Sequence, residues 1–413
     1  MTPPDAAPAW LAATRRAGLA RFEELGLPTP AQEIWRYSRI GDLDLDRYAA
    51  APAGGDAALP APVAALLEAL AASGTAPGVV VTRDGIPGAP VGLPAGVTVT
   101  TPGDEDWGLG AITGDSDAFV ALNTARAPVP LRVAAGPAAG PGATVVVVHV
   151  AATAGVASFP RLLVDVAPHS ELRVIEVAAS GDIEAVLVPV TEAELRPGAR
   201  LSYVNLQVLG RRVWQVGLQA SRVGADATLT SANAVFGGRY ARVRADAAAV
   251  GQGATSRLLA VWFGTGDQMH DLRTVQAHEA PRTSSELVFK GAVANQSHSV
   301  YTGVIRVEKG ARGTNAMQTN RNLVLDEGAH ADSVPNLEIE DNDVRCSHAS
   351  AVGPVDADQR FYLESRGVPT AEADRLIAQG FLDEVIDRIP APELGGWLRA
   401  AVSGKLAEAD AAR

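Results

Sequence analysis

The sequence predicts a mainly β chain, with a parallel β-helix core flanked by an N-terminal helical region and a C-terminal helical bundle. Three observations carry this prediction. From about Pro128 to Pro354, short β-branched runs alternate with small turn residues, and no long amphipathic helix is evident. A turn-then-strand piece recurs at His169-Ser170-Glu171-Leu172, Gly198-Ala199-Arg200-Leu201, Gly224-Ala225-Asp226-Ala227, Gly253-Ala254-Thr255-Ser256, Gly310-Ala311-Arg312-Gly313 and Gly328-Ala329-His330-Ala331. The first spacings lie near 26–30 residues or twice that, and the last is shorter. Each piece has one face to bury and cannot do so alone, so stacking is the natural solution. Finally, both ends of the chain carry helix signals. Periodicity alone leaves one alternative open, an antiparallel β-sandwich with Gly-rich turns.

Residues 1–115 read as a mostly helical region, 116–354 as the β-helix core and 355–413 as a helical domain. Trp10, Leu11, Ala17, Leu19, Phe22 and Leu25 recur at roughly helical spacing, and Gly26 with Pro28 ends that run. Ala49 to Asp56 reads as an Ala/Pro/Gly linker, and Pro62 to Ala72 as a short helix. Dense Pro and Gly from Ala76 to Gly103 predict turns and short strands. The strand runs of the core include Val145–Val148, Leu162–Val166, Leu172–Val177, Ala185–Val190, Leu201–Val208, Leu287–Phe289 and Val300–Val307. Beyond Val355, Asp356 is placed to cap a helix that Gly367 ends, and Thr370 to cap a second. Leu376, Ile377, Phe381, Val385 and Ile389 form an apolar stripe on the second helix. Pro390 stops it and Pro392 opens a third.

Composition narrows the function. The 413 residues are 47% hydrophobic, enough for a packed core, with a formal net charge of -12. An acidic chain repels phosphate, which argues against nucleic acid or an anionic membrane as main partner. The most apolar stretch, Ala143 to Ala157, contains His149 and is too short to span a bilayer as a helix. The start, MTPPDAAPAW, lacks the basic and apolar parts of a secretory signal. One cysteine, Cys346, cannot make an internal disulfide. These features predict a cytoplasmic protein. The chain has no GxxxxGK[ST], HExxH, CxxC or GxSxG motif, so it is not expected to hydrolyse ATP itself.

Few residues can carry chemistry. If Val344 to Ser350 is extended, Cys346 and His348 project from one face, where a thiolate and an imidazole can both meet iron. A buried cysteine and a hydrogen-bonding histidine are the plainer reading of the same pair. His270, Asp271 and His278 leave two readings, a metal rung or polar residues satisfying one another on a sheet face. His298 and His330 stand isolated and are assigned no role. Glu338, Glu340, Asp341 and Asp343 suggest either a solvated turn or the paired acids of glycoside chemistry.

Several segments taken together are specific. They are His270-Asp271, His278, Ser285, Lys290, Tyr301-Thr302-Gly303-Val304-Ile305-Arg306-Val307, Thr314 and Met317-Gln318-Thr319-Asn320 with Asn322-Leu323. Then come Pro335-Asn336-Leu337-Glu338-Ile339, Asp343-Val344-Arg345-Cys346-Ser347-His348, and Gln359 through Gly367. With these, the span from His270 to about Ile389 resembles the C-terminal half of SufD, in the SufB/SufD family of SUF iron–sulfur cluster assembly scaffolds. Gly26-Leu27-Pro28-Thr29 and Glu33-Ile34-Trp35-Arg36-Tyr37 resemble the family too, while residues 50 to 260 match in texture only.

The resemblance implies a right-handed parallel β-helix and a non-catalytic scaffold subunit. It implies pairing with SufB and docking of the SufC ATPase on the C-terminal helices. It makes His348 a metal ligand that helps hold the nascent cluster at the joint with SufB. The resemblance also makes Cys346 the neighbouring cluster-binding cysteine, expected to be buried until ATP-driven movement exposes the joint. A stable cluster usually takes about four thiolates, so any cluster this chain touches is shared with another chain or with other ligand types; the resemblance implies a transient cluster shared with SufB and none on the isolated chain. Self-association of the isolated chain is an added alternative. SufB is the close rival. It would carry a cysteine near Asn320-Arg321-Asn322-Leu323-Val324-Leu325 and a glutamate at Ala349, and this chain has neither. The remaining alternative is a β-helix polysaccharide lyase or hydrolase working through the acids near Glu338.

Overall fold

The computed structural model describes residues 7–51, 58–114 and 117–412. Most of the expected linker, and the expected boundary at residues 115 and 116, lie outside the described residues. Each coil of the core turns at a corner in the left-handed backbone region. These corners are His169 (φ 58°), Gly198 (70°), Asp226 (53°), Gly253 (76°), Arg282 (57°) and Gly313 (72°). They stack. The amide of His169 donates to Pro197, Gly198 to Ala225, Asp226 to Gln252, Gly253 to Pro281, Arg282 to Arg312 and Gly313 to Asp343. Glycine is favoured at Gly198 for a second reason, since a Cβ there would lie 2.4 Å from Nδ1 of His169 and the ring would have to move. The repeat pieces at His169, Gly198 and Gly253 fall on this corner. Arg282 is the corner that the repeat skipped, which explains its one doubled spacing. Gly328 belongs to the opposite turn, between Thr314–Val324 and His330–Ile339, which explains the short last spacing.

Successive strands alternate between two sheets. The first sheet runs Leu131–Ala135, Arg161–Val166, Val190–Leu195, Val213–Val223, Tyr240–Ala249, Met269–His278, His298–Val307 and His330–Ile339. The second runs Gly78–Arg83, Thr144–Ala151, Glu171–Ser180, Arg200–Val208, Thr228–Val235, Thr255–Gly264, Ser284–Val293, Thr314–Val324 and Val344–Gly353. Neighbours within these two rows pair in parallel, with Tyr240, Met269, His298 and His330 in one line of the first sheet. The core is therefore a parallel β-solenoid and not an antiparallel sandwich. Gly78–Arg83 joins it from the region read as mostly helical, and the helix Ala118–Arg126 lies at the start of the region read as core.

Alternation along each strand builds three apolar layers. Between the sheets lie Leu172, Leu201, Tyr203, Leu229, Leu272 and Phe289. On the outer face of the first sheet, Trp35, Ile40, Leu43 and Phe119 pack on Trp214, Tyr240, Met269 and Val300. On the outer face of the second sheet, the helices Ala61–Ala72, Thr370–Ile386 and Gly395–Ala411 bring Leu66, Leu70, Leu382, Leu398 and Leu406 onto Val146, Ile175, Val204 and Val261.

The helix Ala9–Leu25 ends at Gly26, and Asp356 accepts from the amides of Asp358 and Gln359, as the sequence predicts. Two details differ. Thr370 is already inside its helix, and its hydroxyl turns back to Glu364, so Pro369 takes the cap position. The stripe of that helix is rotated, because Ala378, Leu382, Val385, Ile386 and Ile389 face the sheet while Leu376 is exposed. Among the described residues, no helix is long and apolar enough to cross a membrane.

Candidate functional site at the open end of the solenoid

The last strand of each sheet, His330–Ile339 and Val344–Gly353, has a neighbour on one side only among the described residues. In the coil before it, Ile305 and Val307 are fully buried. Leu337 and Ile339 follow them in register, point into the same interior row, and are 37% and 42% exposed. Core-type side chains lie open here, beside unpaired backbone donors and acceptors. Such an edge is a template for another strand.

Cys346 and His348 sit on this edge. Cys346 stands beside Ala316 and His348 beside Gln318, and both of those neighbours are buried. The shared face predicted for the pair is present, about 7 Å apart along the strand. Cys346 is half-buried against Ile305, Val307, Ala311 and Ala316. That burial pushes its thiol pKa up, with a backbone hydrogen bond from Ala316 partly opposing. A thiol held in this state is a poor nucleophile until its surroundings change. His348 is exposed and, among the described residues, its ring has no hydrogen-bond partner.

A polar belt lies beneath and beside this row. Gln318 donates to Tyr301 Oη at 2.6 Å, and that oxygen meets Thr274 Oγ1 at 3.0 Å. Gly303 leaves room for this contact, since a Cβ there would lie 2.1 Å from both Gln318 Nε2 and Tyr301 Oη. Gln318 Oε1 is buried without a partner. Ser350 donates to Ser333 at 2.7 Å, and Ser333 to Asn320 Oδ1 at 2.7 Å, tying the two sheets together at the opening. One thiol and one exposed imidazole are too few to enclose iron, so any ion held here needs ligands from outside the chain.

The other candidates separate. His270 is buried with Nε2 against the carbonyl of Gly237 at 3.1 Å. Burial, helped by Lys405, lowers its pKa to about 3. His278 meets Thr283 and Ser285, and burial lowers its pKa to about 4. Asp271 faces the opposite side of the strand. It accepts from Arg242 at 2.7 Å, Arg273 at 2.6 Å and Tyr240 at 2.9 Å. Burial opposes its ionisation, but the two guanidiniums outweigh burial and hold its pKa below the ordinary value. The same arginines donate to the carbonyls of Ile34 and Arg36, and Arg242 lies 3.7 Å over the ring of Trp35. The metal rung is therefore not formed. Asp271 instead locks the segment around Trp35 onto the solenoid.

The acidic residues also resolve into structural roles. Glu338 pairs with Arg306, and Asp341 accepts from the amides of Gly310 and Asp343 in a turn. His298 and His330, isolated in sequence, are brought side by side. Their rings lie 5.0 Å apart, and Asp332 reaches both. Among the described residues, these three are the one group of three or more metal-ligating side chains whose donor atoms lie within 4.8 Å of one another. The signal that could have found them is the repeat itself, because His298 and His330 occupy equivalent places in consecutive coils.

Comparison with known proteins gives the family. Residues 149–381 match the family described as SUF system FeS cluster assembly, SufBD core domain. An iron–sulfur cluster assembly SufBD family protein of Mycobacterium tuberculosis is 37% identical over 216 residues, covering 50% of this chain and 54% of the relative. The corresponding Mycobacterium leprae protein is 36% identical over 216 residues, 50% and 55% of the two chains. A Synechocystis protein of the same description is 27% identical over 253 residues, 59% and 56%. The alignments span about half the length of these relatives. The matched region holds most of the solenoid, including Cys346 and His348, and the chain belongs to the SufBD family of iron–sulfur cluster assembly proteins.

Proposed function

We propose that the chain is a SufD-type, non-catalytic scaffold subunit that works in the cytoplasm, and that its open end joins a SufB-type sister chain. The observation that carries this reading is the exposed interior row of Leu337 and Ile339 beside Cys346 and His348. A sister strand added there covers the apolar row, pairs the free backbone groups and brings its own ligands to the imidazole. The cluster is cargo, held in transit by His348 together with thiolates of the sister chain. A group on the sister chain then has to orient the other ring nitrogen of His348. The lack of a cysteine near Asn320-Arg321-Asn322-Leu323-Val324-Leu325 and of a glutamate at Ala349 favours SufD over SufB.

The SufC ATPase docks, on this reading, at the C-terminal helices. The helix Ala357–Ser365 buries none of its residues, and Phe361 and Tyr362 on it are 70% and 57% exposed. Paired aromatic side chains of this kind are typical anchors of an interface. Behind them, Lys290 pairs with Glu384, Arg388 with Glu286 and Arg173 with Glu393, which couples the helical domain to the second sheet. These pairs tie the helices to the sheet whose last strand, Val344–Gly353, carries Cys346. Co-expression with a SufB-type and a SufC-type chain tests the proposal. A stable three-component complex is expected, and a chain that purifies alone under those conditions refutes it.

A further inference from the structure

We propose that His298, His330 and Asp332 form a mononuclear site for a divalent transition-metal ion of the zinc or ferrous class. The site lies on the outer face of the first sheet at its edge strand, on a different sheet and a different face from His348. Its donors come from two coils. His298 and His330 are opposite one another in register, and Asp332 follows His330 by two residues, so all three project from one side. Asp332 Oδ2 lies 2.7 Å from Nε2 of His298, and Oδ1 lies 3.2 Å from Nε2 of His330.

Two imidazoles and one carboxylate are the donor set that suits zinc or ferrous iron, with positions left for water or another ligand. The placement is selective. Buried Asp271 and Glu192 each take an arginine, and buried Glu176 takes a single imidazole, His149. Among the described residues Asp332 has no such cation and is flanked by the two imidazoles instead. His298 is 22% exposed and held by Asp332 at 2.7 Å, while His330 is 66% exposed. One ligand is therefore fixed and one is free to close on an ion. A strand added at this edge would run beside the site and could supply a fourth donor.

The test uses the full chain without a histidine tag, stripped with a chelator and titrated with cobalt(II) and then zinc(II). One cobalt per chain, with ligand-field absorption in the visible, is expected, and zinc displaces it. His330→Ala and Asp332→Asn are each expected to weaken binding by at least about tenfold, since even outer-shell changes cost that much. Cys346→Ser combined with His348→Ala is expected to leave binding unchanged, which separates this site from the proposed cluster joint. Circular dichroism checks that each variant folds, and exposed His330 is the safest to replace. No cobalt binding by the wild type would overturn the proposal. So would equal binding by His330→Ala, or loss of binding in the Cys346/His348 variant instead, either of which would leave the triad as hydrogen bonds alone.

Discussion

Replacing Asp271 by alanine removes the centre of a buried knot. The carboxylate is fully buried and accepts from Arg242, Arg273 and Tyr240 at 2.6–2.9 Å. Its loss leaves two buried guanidiniums without a counter-charge, and breaking such a pair costs about 3–5 kcal/mol. The loss should be local first, because both arginines also hold the carbonyls of Ile34 and Arg36. A stacked array of coils does not unfold in one step. The assay is therefore hydrogen exchange of residues 33–37, read beside urea unfolding. The expected result is a fall of about 3–5 kcal/mol in the opening free energy of that segment.

The sign with pH follows from the lowered pKa of Asp271. Its contribution is fully present above the unfolded value of about 3.9 and is lost as pH falls through the folded value. The gap between wild type and Asp271→Asn should therefore be constant at neutral pH and shrink only in strong acid. A cost below about 1 kcal/mol, a typical single hydrogen bond, with protection of residues 33–37 unchanged, would refute the reasoning.

The remaining predictions concern partners. Ile339→Lys should leave the isolated chain folded, because Ile339 is 42% exposed. It should weaken association with the sister chain by at least about 3 kcal/mol, or roughly a hundredfold, since a buried unpaired charge replaces apolar cover. Size-exclusion chromatography of the co-expressed chains reads this out, and unchanged assembly contradicts the placement of the joint. Phe361→Ala with Tyr362→Ala should keep the thermal midpoint of the chain and lose about 2 kcal/mol or more of ATPase binding. Pull-down with the ATPase measures it, and full retention would move the docking surface elsewhere. Point variants are preferable to removing the helical domain, because Leu382, Leu398 and Leu406 cover the second sheet.

Much of this organisation was legible in the sequence. The stacked corner left its mark because His169, Gly198 and Gly253 recur at coil spacing, and the strand runs between them were dense in β-branched residues. The common face of Cys346 and His348 followed from strand alternation. Arg282 hid one corner, since arginine gives no turn signal although it adopts the same left-handed φ as its glycine neighbours. The pairing of His298 with His330 and Asp332 could be read only through the coil register, because it depends on which coil lies next and not on local pattern. For the same reason Asp271 looked like a ligand beside His270, while its true partners are Tyr240 and Arg242 on the neighbouring strand and Arg273 on its own. The rotated stripe of Thr370–Ile386 shows a further limit, because helical periodicity allowed two faces and only the sheet chose between them.

Cluster loading of the co-expressed complex carrying His348→Ala is the most direct test. The complex should assemble as in the wild type, and its iron-dependent visible absorbance and iron and sulfide content should fall. Loading equal to that of the wild type, with the complex intact, would contradict the claim that this imidazole holds the cluster at the joint.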